Sequence, residues 1–352
     1  NSFIGSDNLN NQQKTAQNLF AYSVDDNKFS DEFKNYEMKI HQEEINKVKI
    51  ETEIKNLEYK FEREYLLALI RKRQEKFDES FDLLFNLLKQ SPQYLNLYEE
   101  LASIAKITDN LDKLSDWLNG IKDSTNLFYL YLDGLVESQK GESAKSIGKL
   151  LRLIEKGFIS KEVYFQLASL YRTTGDYELS FRNLKDAEMI CEREEAFLAK
   201  IINLKGTLFY LSGDYESAKQ GYALALETAN KNHNKVEEVK AIANIAIVKD
   251  LYGEVSDARN DFKKAIKTAE KIENKELLAF LYSELGVSFT FTNNLIQARE
   301  NYEKSYSLYK LLRNNDRLSY LSSNIGSLFL QISNYKSALK LYNEGLMYAG
   351  EN

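Results

Sequence analysis

The sequence has very few of the residues that break helices or cross-link chains. Its 352 residues include one Pro, 15 Gly and one Cys. Proline and glycine shape most tight turns, so this chain has too few turn-formers for many hairpins, which argues against an all-β fold. The single Cys191 cannot form a disulfide within the chain, and only two histidines accompany it. We therefore expect no metal site and no cofactor.

An excess of positive charge and a long apolar run are also missing. The chain carries 47 Lys and Arg against 53 Asp and Glu, a net charge of −6. Such a surface has no electrostatic basis for tracking phosphates, so we expect no nucleic-acid partner. The longest uncharged stretch, residues 318–335, carries eight Ser, Asn or Gln, and its apolar residues recur at helical spacing. It predicts an amphipathic helix, and no membrane insertion is expected.

The motifs that accompany catalysis are absent as well. The sequence has no G-x-S-x-G elbow, no phosphate-binding P-loop, no G-x-G-x-x-G turn and no H-E-x-x-H pair. Acidic pairs are frequent, but a charge-rich helix surface produces them without any catalytic role. We therefore expect a protein that is not an enzyme, and we name no catalytic residue.

What the sequence does contain is an internal repeat. Four segments superimpose without gaps at intervals of 40 residues, each with a small residue, a turn residue, an alanine and an aromatic ring: Gly206, Gly213, Ala218 and Tyr222; Ala246, Gly253, Ala258 and Phe262; Gly286, Asn293, Ala298 and Tyr302; Gly326, Ser333, Ala338 and Tyr342. A fixed period of this kind indicates a stacked-repeat solenoid. The small residues allow two helices to cross closely and the ring fills the joint, so each unit is an antiparallel helix pair that buries its faces against its neighbours.

This order of residues resembles the tetratricopeptide repeat (TPR) family. A nearly complete copy of the family pattern comprises Ala168, Gly175, Asp176, Tyr177, Ser180, Leu184 and Ala187, and weaker copies start at Ala68, Ala102 and Gly134. The resemblance implies an all-α fold, an α–α superhelix or TPR solenoid of about eight helix-turn-helix repeats. The C-terminal half is distinguished by its long 40-residue repeats.

Four regions follow from these patterns. Residues 1–30 are rich in Asn, Gln, Ser and Asp and predict a polar N-terminal arm, loose or docked only by a short segment. We expect residues 31–60 to form one long helix, which is either a cap on the repeats or a stalk. Its apolar spacing contains two slips. Residues 61–198 predict repeats 1–4, of about 34 residues each. Residues 199–352 predict repeats 5–8 with the 40-residue period.

In the TPR family the first helices of the repeats line a concave face that binds extended peptides or helices. Helical spacing places ten residues on that face in the C-terminal half: Lys200, Asn203, Thr207, Tyr210, Lys240, Asn244, Phe280, Ser283, Tyr320 and Asn324. The stripe also passes through Asp250 and Glu284. An asparagine side chain can form hydrogen bonds with both the N–H and the C=O of a peptide. We therefore predict that Asn203, Asn244 and Asn324 bind the backbone of the ligand. The alternative is that they are solvated or bond to a neighbouring helix.

Some TPR proteins hold a C-terminal carboxylate in a clamp of basic residues and asparagines. Lys240, Asn203 and Asn244 could supply part of such a clamp. The next repeat, however, offers Glu284 where a second base is needed, and Glu284 would repel a carboxylate. The clamp is therefore disfavoured.

The predicted function is a non-enzymatic scaffold that binds a protein or peptide on its concave face. Long repeats resemble those of bacterial signalling regulators, so we expect the sensory or regulatory segment of a bacterial signalling system. One alternative is a structural assembly subunit that self-associates through an uncapped last repeat, at Ala338, Leu341 and Tyr342. Another is a small-peptide signal receptor. We expect a cytoplasmic protein; the periplasm is the alternative, because the sequence does not begin with Met.

Overall fold

A computed structural model describes residues 29–42, 46–90, 93–121, 126–191 and 196–350. In these ranges the chain forms 18 α-helices and no strand, and the helices associate as helix-turn-helix pairs. The expected all-α fold of about eight such pairs is confirmed. The chain divides into two compact units, residues Asn1–Glu37 with Lys47–Glu192 and residues Met38–Asn46 with Arg193–Asn352. The predicted polar arm lies outside the described residues, apart from Phe29 and Ser30.

The segment expected to form one long helix contains two. Helix α1 is Asp31–Gln42 and helix α2 is Lys47–Ile54, with Asn46 and residues 55–59 outside any helix. The physical reason is visible in the apolar spacing, which slips between Ile40 and residue 45, where α1 has ended. On α2, Val48 is 76% exposed, whereas Ile50 and Ile54 are buried.

The start of α1 packs within the first unit. Ser30 Oγ accepts a hydrogen bond from the backbone N–H of Phe33, at 3.1 Å, which caps the helix. The buried carboxylate of Glu62 accepts hydrogen bonds from the N–H and the hydroxyl of Ser30, both at 2.8 Å. Phe33 lies against the rings of Tyr65 and Tyr94, at centroid distances of 5.9 and 5.8 Å. Phe33 is therefore part of this unit's core, and Ser30 fixes the start of α1 against α3.

Four helix pairs complete the first unit. They are α3 (Lys60–Arg73) with α4 (Phe77–Leu88), α5 (Leu95–Ile107) with α6 (Leu111–Gly120), α7 (Leu127–Gln139) with α8 (Ser143–Glu155), and α9 (Lys161–Thr174) with α10 (Tyr177–Ile190). The pairs are bound partly by a recurrent serine on the second helix. Ser80, Ser146 and Ser180 are fully buried, and each hydroxyl donates to a backbone carbonyl of the first helix, that of Ala68, Gly134 and Ala168 respectively.

The second unit has four pairs of longer helices, each of 16 or 17 residues. They are α11 (Ala196–Leu211) with α12 (Tyr215–Lys231), α13 (Lys235–Leu251) with α14 (Val255–Lys271), α15 (Lys275–Phe291) with α16 (Leu295–Leu311), and α17 (Asn315–Gln331) with α18 (Tyr335–Gly350). Asparagine begins three of the first helices. The side chains of Asn234, Asn274 and Asn314 each accept a hydrogen bond from a first-turn amide, at 3.0–3.2 Å.

Glycines on the first helices let these pairs approach closely. A Cβ atom on Gly206 would lie 2.7 Å from the Tyr222 ring, and one on Gly286 would lie 2.5 Å from the Tyr302 ring. Real Cβ atoms do not come so near, so the aromatic side chain occupies the space that the glycine leaves. These are the small residues and rings that the sequence assigned to the joint between paired helices.

Candidate peptide-binding surface

All ten predicted binding residues lie on the first helices of the pairs in the second unit. Lys200, Asn203, Thr207 and Tyr210 are on α11, Lys240 and Asn244 on α13, Phe280 and Ser283 on α15, and Tyr320 and Asn324 on α17. We call these ten residues, with Asp250 of α13 and Glu284 of α15, the first-helix stripe. The stripe has two parts with different hydrogen bonding, one centred on α11 and α13 and the other on α13, α15 and α17.

In the first part, two of the asparagines predicted to bind the ligand, Asn203 and Asn244, form a hydrogen bond with each other. Asn244 Nδ2 donates to Asn203 Oδ1 at 2.9 Å, and Asn203 Nδ2 donates to Glu237 Oε2 at 3.2 Å. Asn203 is 5% exposed, so the protein itself engages both ends of this buried amide. The alternative stated from the sequence, that these asparagines bond to a neighbouring helix, describes both contacts.

Glu237 anchors this network. The side chain is 4% exposed, and its Oε1 atom accepts a hydrogen bond from Lys240 Nζ at 2.7 Å. Burial would raise the pKa of Glu237, but the charges of Lys240 and Lys200 and the hydrogen bond from Asn203 hold it below its ordinary value. Burial likewise disfavours the charged form of Lys240, yet Glu237 raises its pKa. Both groups are therefore ionised at neutral pH, and the pair is a closed structural element.

Sequence reasoning missed Glu237. It was one of two adjacent acidic residues that were attributed to a solvated helix surface. The signal was present, because Glu237 lies three residues before Lys240, the spacing at which side chains meet on a helix. Only packing could tell that Glu237 is buried, whereas its neighbour Glu238 pairs with Lys235 at 2.6 Å.

In the second part of the stripe, Asn324 occupies the position equivalent to Asn244. Its Nδ2 atom is shielded from solvent and has no hydrogen-bond partner. Asn244 bonds to the residue 41 positions earlier, and the residue 41 positions before Asn324 is Ser283, which is 4% exposed. A serine side chain is shorter than that of Asn203 and does not supply the carbonyl oxygen. The result is an amide donor without an acceptor.

Asp250 and Glu284 form an acidic centre in this part. Burial raises the pKa of Asp250, against hydrogen bonding from Ser288 and the charge of Arg259. Burial also raises the pKa of Glu284, to about 7, and repulsion from Asp250 adds to the effect against attraction from Arg317. The two carboxylates lie on neighbouring first helices, and the charge of Asp250 disfavours ionisation of Glu284. The sequence placed both on the stripe, and used Glu284 only as an argument against a carboxylate clamp.

The aromatic residues of the stripe differ in exposure. Tyr320 is 43% exposed and Tyr210 is half-buried, with its ring centroid 5.5 Å from that of Tyr215. Phe280 packs partly into the core between α13 and α15. Thr207 donates to the Asn203 carbonyl at 3.1 Å, and Lys200 Nζ lies 4.9 Å from the Phe197 ring centroid. Tyr210 and Tyr320 are therefore the rings most open to a ligand.

Across the described ranges, no group of three or more His, Cys, Asp and Glu side chains could hold a metal ion. Nor does any helix in the described part of the chain have the length and apolar character needed to cross a membrane.

The sequence matches no protein-family model and no curated protein sequence. Solved structures do match. A Rap protein crystallised with Competence and Sporulation Factor aligns over 96% of this chain and 98% of its own, at 13% identity and a TM-score of 0.56. The Cut9–Hcn1 hetero-tetramer of the APC/C aligns over 87% of this chain and 57% of the matched chain, at 12% identity and a TM-score of 0.59.

These matches show a TPR-type helical-repeat fold. A third structure, BtubC (BKLC) from P. vanneervenii, aligns over 61% of this chain and 91% of its own, at 18% identity and a TM-score of 0.45. Identities this low carry the fold alone, so the role of the first-helix stripe depends on its own residues.

Proposed function

We propose that this chain is a non-enzymatic scaffold that binds a protein or peptide along the first-helix stripe. The observation that carries the proposal is the Asn324 amide, whose Nδ2 donor is shielded from solvent without an acceptor. Leaving a buried donor unsatisfied costs about 1–3 kcal/mol, so such groups call for an explanation. A peptide carbonyl would supply the acceptor, and exposed Tyr320, one turn away on α17, would add ring contact.

The matched structures support this proposal. The Rap chain was crystallised with Competence and Sporulation Factor, and the Cut9 chain with Hcn1. The Rap match extends over nearly the whole of both chains. We extend the proposal to a sensory or regulatory segment of a bacterial signalling system, for which a small-peptide signal is the simplest ligand.

The test is selection of displayed random heptapeptides on the immobilised chain, followed by affinity measurement for the enriched sequences. Asn324→Ala and Tyr320→Ala should each weaken binding by about tenfold, equivalent to 1.4 kcal/mol. Ile296→Ala is the matched control, because Ile296 is 73% exposed on a second helix, α16. Equal affinities for all three variants would remove the first-helix stripe as the binding surface.

A second candidate, an assembly role, is favoured by the surface of α18. Leu346 is 70% exposed, whereas Ile266, 80 positions earlier, is 8% exposed beneath the following helix pair. Leu339 is 62% exposed, while Arg259 and Arg299, at the equivalent positions, lie over Phe289 and Phe329 of the following first helices. A second copy of the chain could cover this surface.

Sedimentation across a range of concentrations tests the assembly role. Association that Leu339→Lys with Leu346→Lys abolishes would support it, since both charges would enter the interface. A chain that stays monomeric at every concentration would exclude self-association through α18.

A further inference from the structure

We propose that Asp250 and Glu284 form an acidic subsite of the first-helix stripe that binds a positively charged side chain of the ligand, arginine above all. The inference rests on the proposed function, because the cation reaches this subsite as part of a peptide that lies on the stripe. It specifies the chemistry of the ligand, which the fold leaves open.

The first observation is an unmet acceptor on Asp250. Its Oδ1 atom is shielded from solvent and accepts no hydrogen bond. The carboxylate is held in place through Ser288, which bonds to it, while Arg259 Nε donates to Ser288 Oγ at 3.1 Å. Arg259 is itself fixed by the carbonyl of Ser288, at 2.7 Å, and by the ring of Phe289. One carboxylate oxygen of Asp250 is therefore held by Ser288, and the other has no hydrogen-bond donor.

The second observation is that Glu284 also lacks a partner. Among the described residues it forms no hydrogen bond and no ion pair, and Arg317 attracts it only over a longer distance. Two other acids of the second unit, buried Glu237 and half-buried Asp261, pair directly with lysines, Glu237 with Lys240 at 2.7 Å and Asp261 with Lys249 at 2.6 Å. Half-buried Glu284 and Asp250 have no such contact.

Several tyrosines lie within electrostatic reach of Glu284. The negative charge of Glu284 acts on the phenols of Tyr210, Tyr302 and Tyr309, and Tyr320 in turn acts on Tyr210 and Tyr302. Tyr302 and Tyr309 are buried, so Tyr210 and Tyr320 present the accessible rings. A cation is attracted both to carboxylates and to the faces of aromatic rings, and each attraction grows as water is excluded.

The chemistry favours arginine over other ligand groups. Asp250 and Glu284 are on different helices, and a planar guanidinium with five donors can reach two carboxylates at once. It would give Asp250 Oδ1 its missing donor and neutralise the repulsion between the two acids. A ligand carboxylate would meet the opposite situation, two like charges in a partly desolvated site.

The same peptide selection tests the subsite. The chain is compared with the charge-removing double variant Asp250→Asn with Glu284→Gln, and with a matched double variant, Asp257→Asn with Glu300→Gln, whose acids are exposed on second helices. We expect arginine to be enriched at one fixed position by the wild type and the matched variant, and the enrichment to vanish in the subsite variant. Replacing that arginine by citrulline, its neutral analogue, should lower wild-type affinity at least about tenfold and leave the subsite variant unaffected.

The outcomes separate this inference from the proposed function. Peptides enriched without any basic position, or a basic preference that persists in the subsite variant, would overturn the acidic subsite while the scaffold stands. Failure to enrich any peptide would overturn both. Thermal unfolding guards against misfolding, because removing two unpaired, mutually repelling charges should keep or raise the melting temperature.

A pH profile provides a readout that a merely structural role would not move. The charged and titratable groups that interact electrostatically with Glu284 are Asp250 of α13, Arg317 of α17, Tyr210 of α11, and Tyr302 and Tyr309 of α16. Of these, Glu284, whose pKa burial raises to about 7, is the group that ionises near neutrality. Affinity for the arginine peptide should rise several-fold between pH 6 and pH 8, whereas affinity for the citrulline peptide stays flat. A flat arginine profile would contradict the subsite.

Discussion

The two parts of the first-helix stripe use similar residues in opposite ways. Around α11 and α13, Asn203, Asn244, Glu237 and Lys240 satisfy one another in a closed network. Around α13, α15 and α17, the amide of Asn324 and the carboxylates of Asp250 and Glu284 lack such partners. The difference follows from one substitution in the pattern, Ser283 where the earlier pair has Asn203, and from two acids that form no direct ion pair with Arg259 or Arg317. Completed networks stabilise the stack, and incomplete ones offer a ligand its hydrogen bonds.

The largest expected effect comes from removing Glu237 from its network with Asn203, Asn244 and Lys240. Glu237→Ala removes the acceptor of both Lys240 and buried Asn203, so we expect a loss of about 2–3 kcal/mol in the free energy of unfolding. Urea denaturation followed by circular dichroism measures it. The control is Glu238→Ala, whose partner Lys235 is at the surface and whose loss should cost less than about 1 kcal/mol. Equal losses would show that the network is not a structural element.

Removing the charge of Glu284, in the second part of the stripe, should raise the free energy of unfolding instead of lowering it. The size of this gain should depend on pH. The folded-state pKa of Glu284, about 7, lies above its ordinary value of 4.5, so the folded chain binds more protons than the unfolded chain within that window. Stability from this group is present below the window and is lost as pH rises through it. Glu284→Gln should therefore raise stability by about 1–2 kcal/mol at pH 8, allowing for partial exposure, and change little at pH 4.5.

The checks are urea denaturation at a series of pH values for wild type and Glu284→Gln. The difference between the two should grow with pH. A difference that stays constant would mean that Glu284 titrates near its ordinary value and that the open part of the stripe is well solvated.

A smaller effect is expected from giving Asn324 a hydrogen-bond acceptor within the protein. Ser283→Asn reproduces at positions 283 and 324 the arrangement of Asn203 and Asn244, and it offers Asn324 Nδ2 an acceptor. We expect a gain of about 0.5–1 kcal/mol in stability, less any cost of fitting a larger side chain at a buried position. Peptide affinity should fall, because the amide is then engaged internally. Rising affinity would show that Asn324 does not bind the ligand.

The smallest effect is expected from removing the unpartnered amide itself. Asn324→Ala deletes a group that makes no hydrogen bond through Nδ2, so stability should change by less than about 0.5 kcal/mol. Asn244→Ala, at the equivalent position, breaks the bond to Asn203 and should cost about 1 kcal/mol. Similar costs for both would erase the distinction between the two parts.

The helix pairs could be predicted from the sequence because their causes are local. Gly206 and Gly286 mark the close crossings, Tyr222 and Tyr302 fill them, and asparagines at 234, 274 and 314 begin the helices. The break after α1 was harder, since Asn46 is not a strong helix breaker and only a slip in apolar spacing marked it. Helical periodicity also placed the ten stripe residues on first helices.

The state of each stripe residue was not predictable in the same way. Whether Asn203 or Asn324 is satisfied depends on a residue 41 positions before or after it and on the length of that side chain. The burial of Glu237 and the opposition of Asp250 and Glu284 likewise arise from stacking one pair on the next. The spacing of residues within one helix does not predict these contacts between stacked pairs.

The most direct test of the central claim is hydrogen–deuterium exchange of the full chain with and without a peptide selected on it. Because the open part of the stripe has the unmet donors and acceptors, we predict slower exchange in α15 and α17, over Lys275–Phe291 and Asn315–Gln331, and little change in α12 and α14. Slower exchange confined to second helices, or equal in every pair, would contradict the assignment of binding to the first-helix stripe.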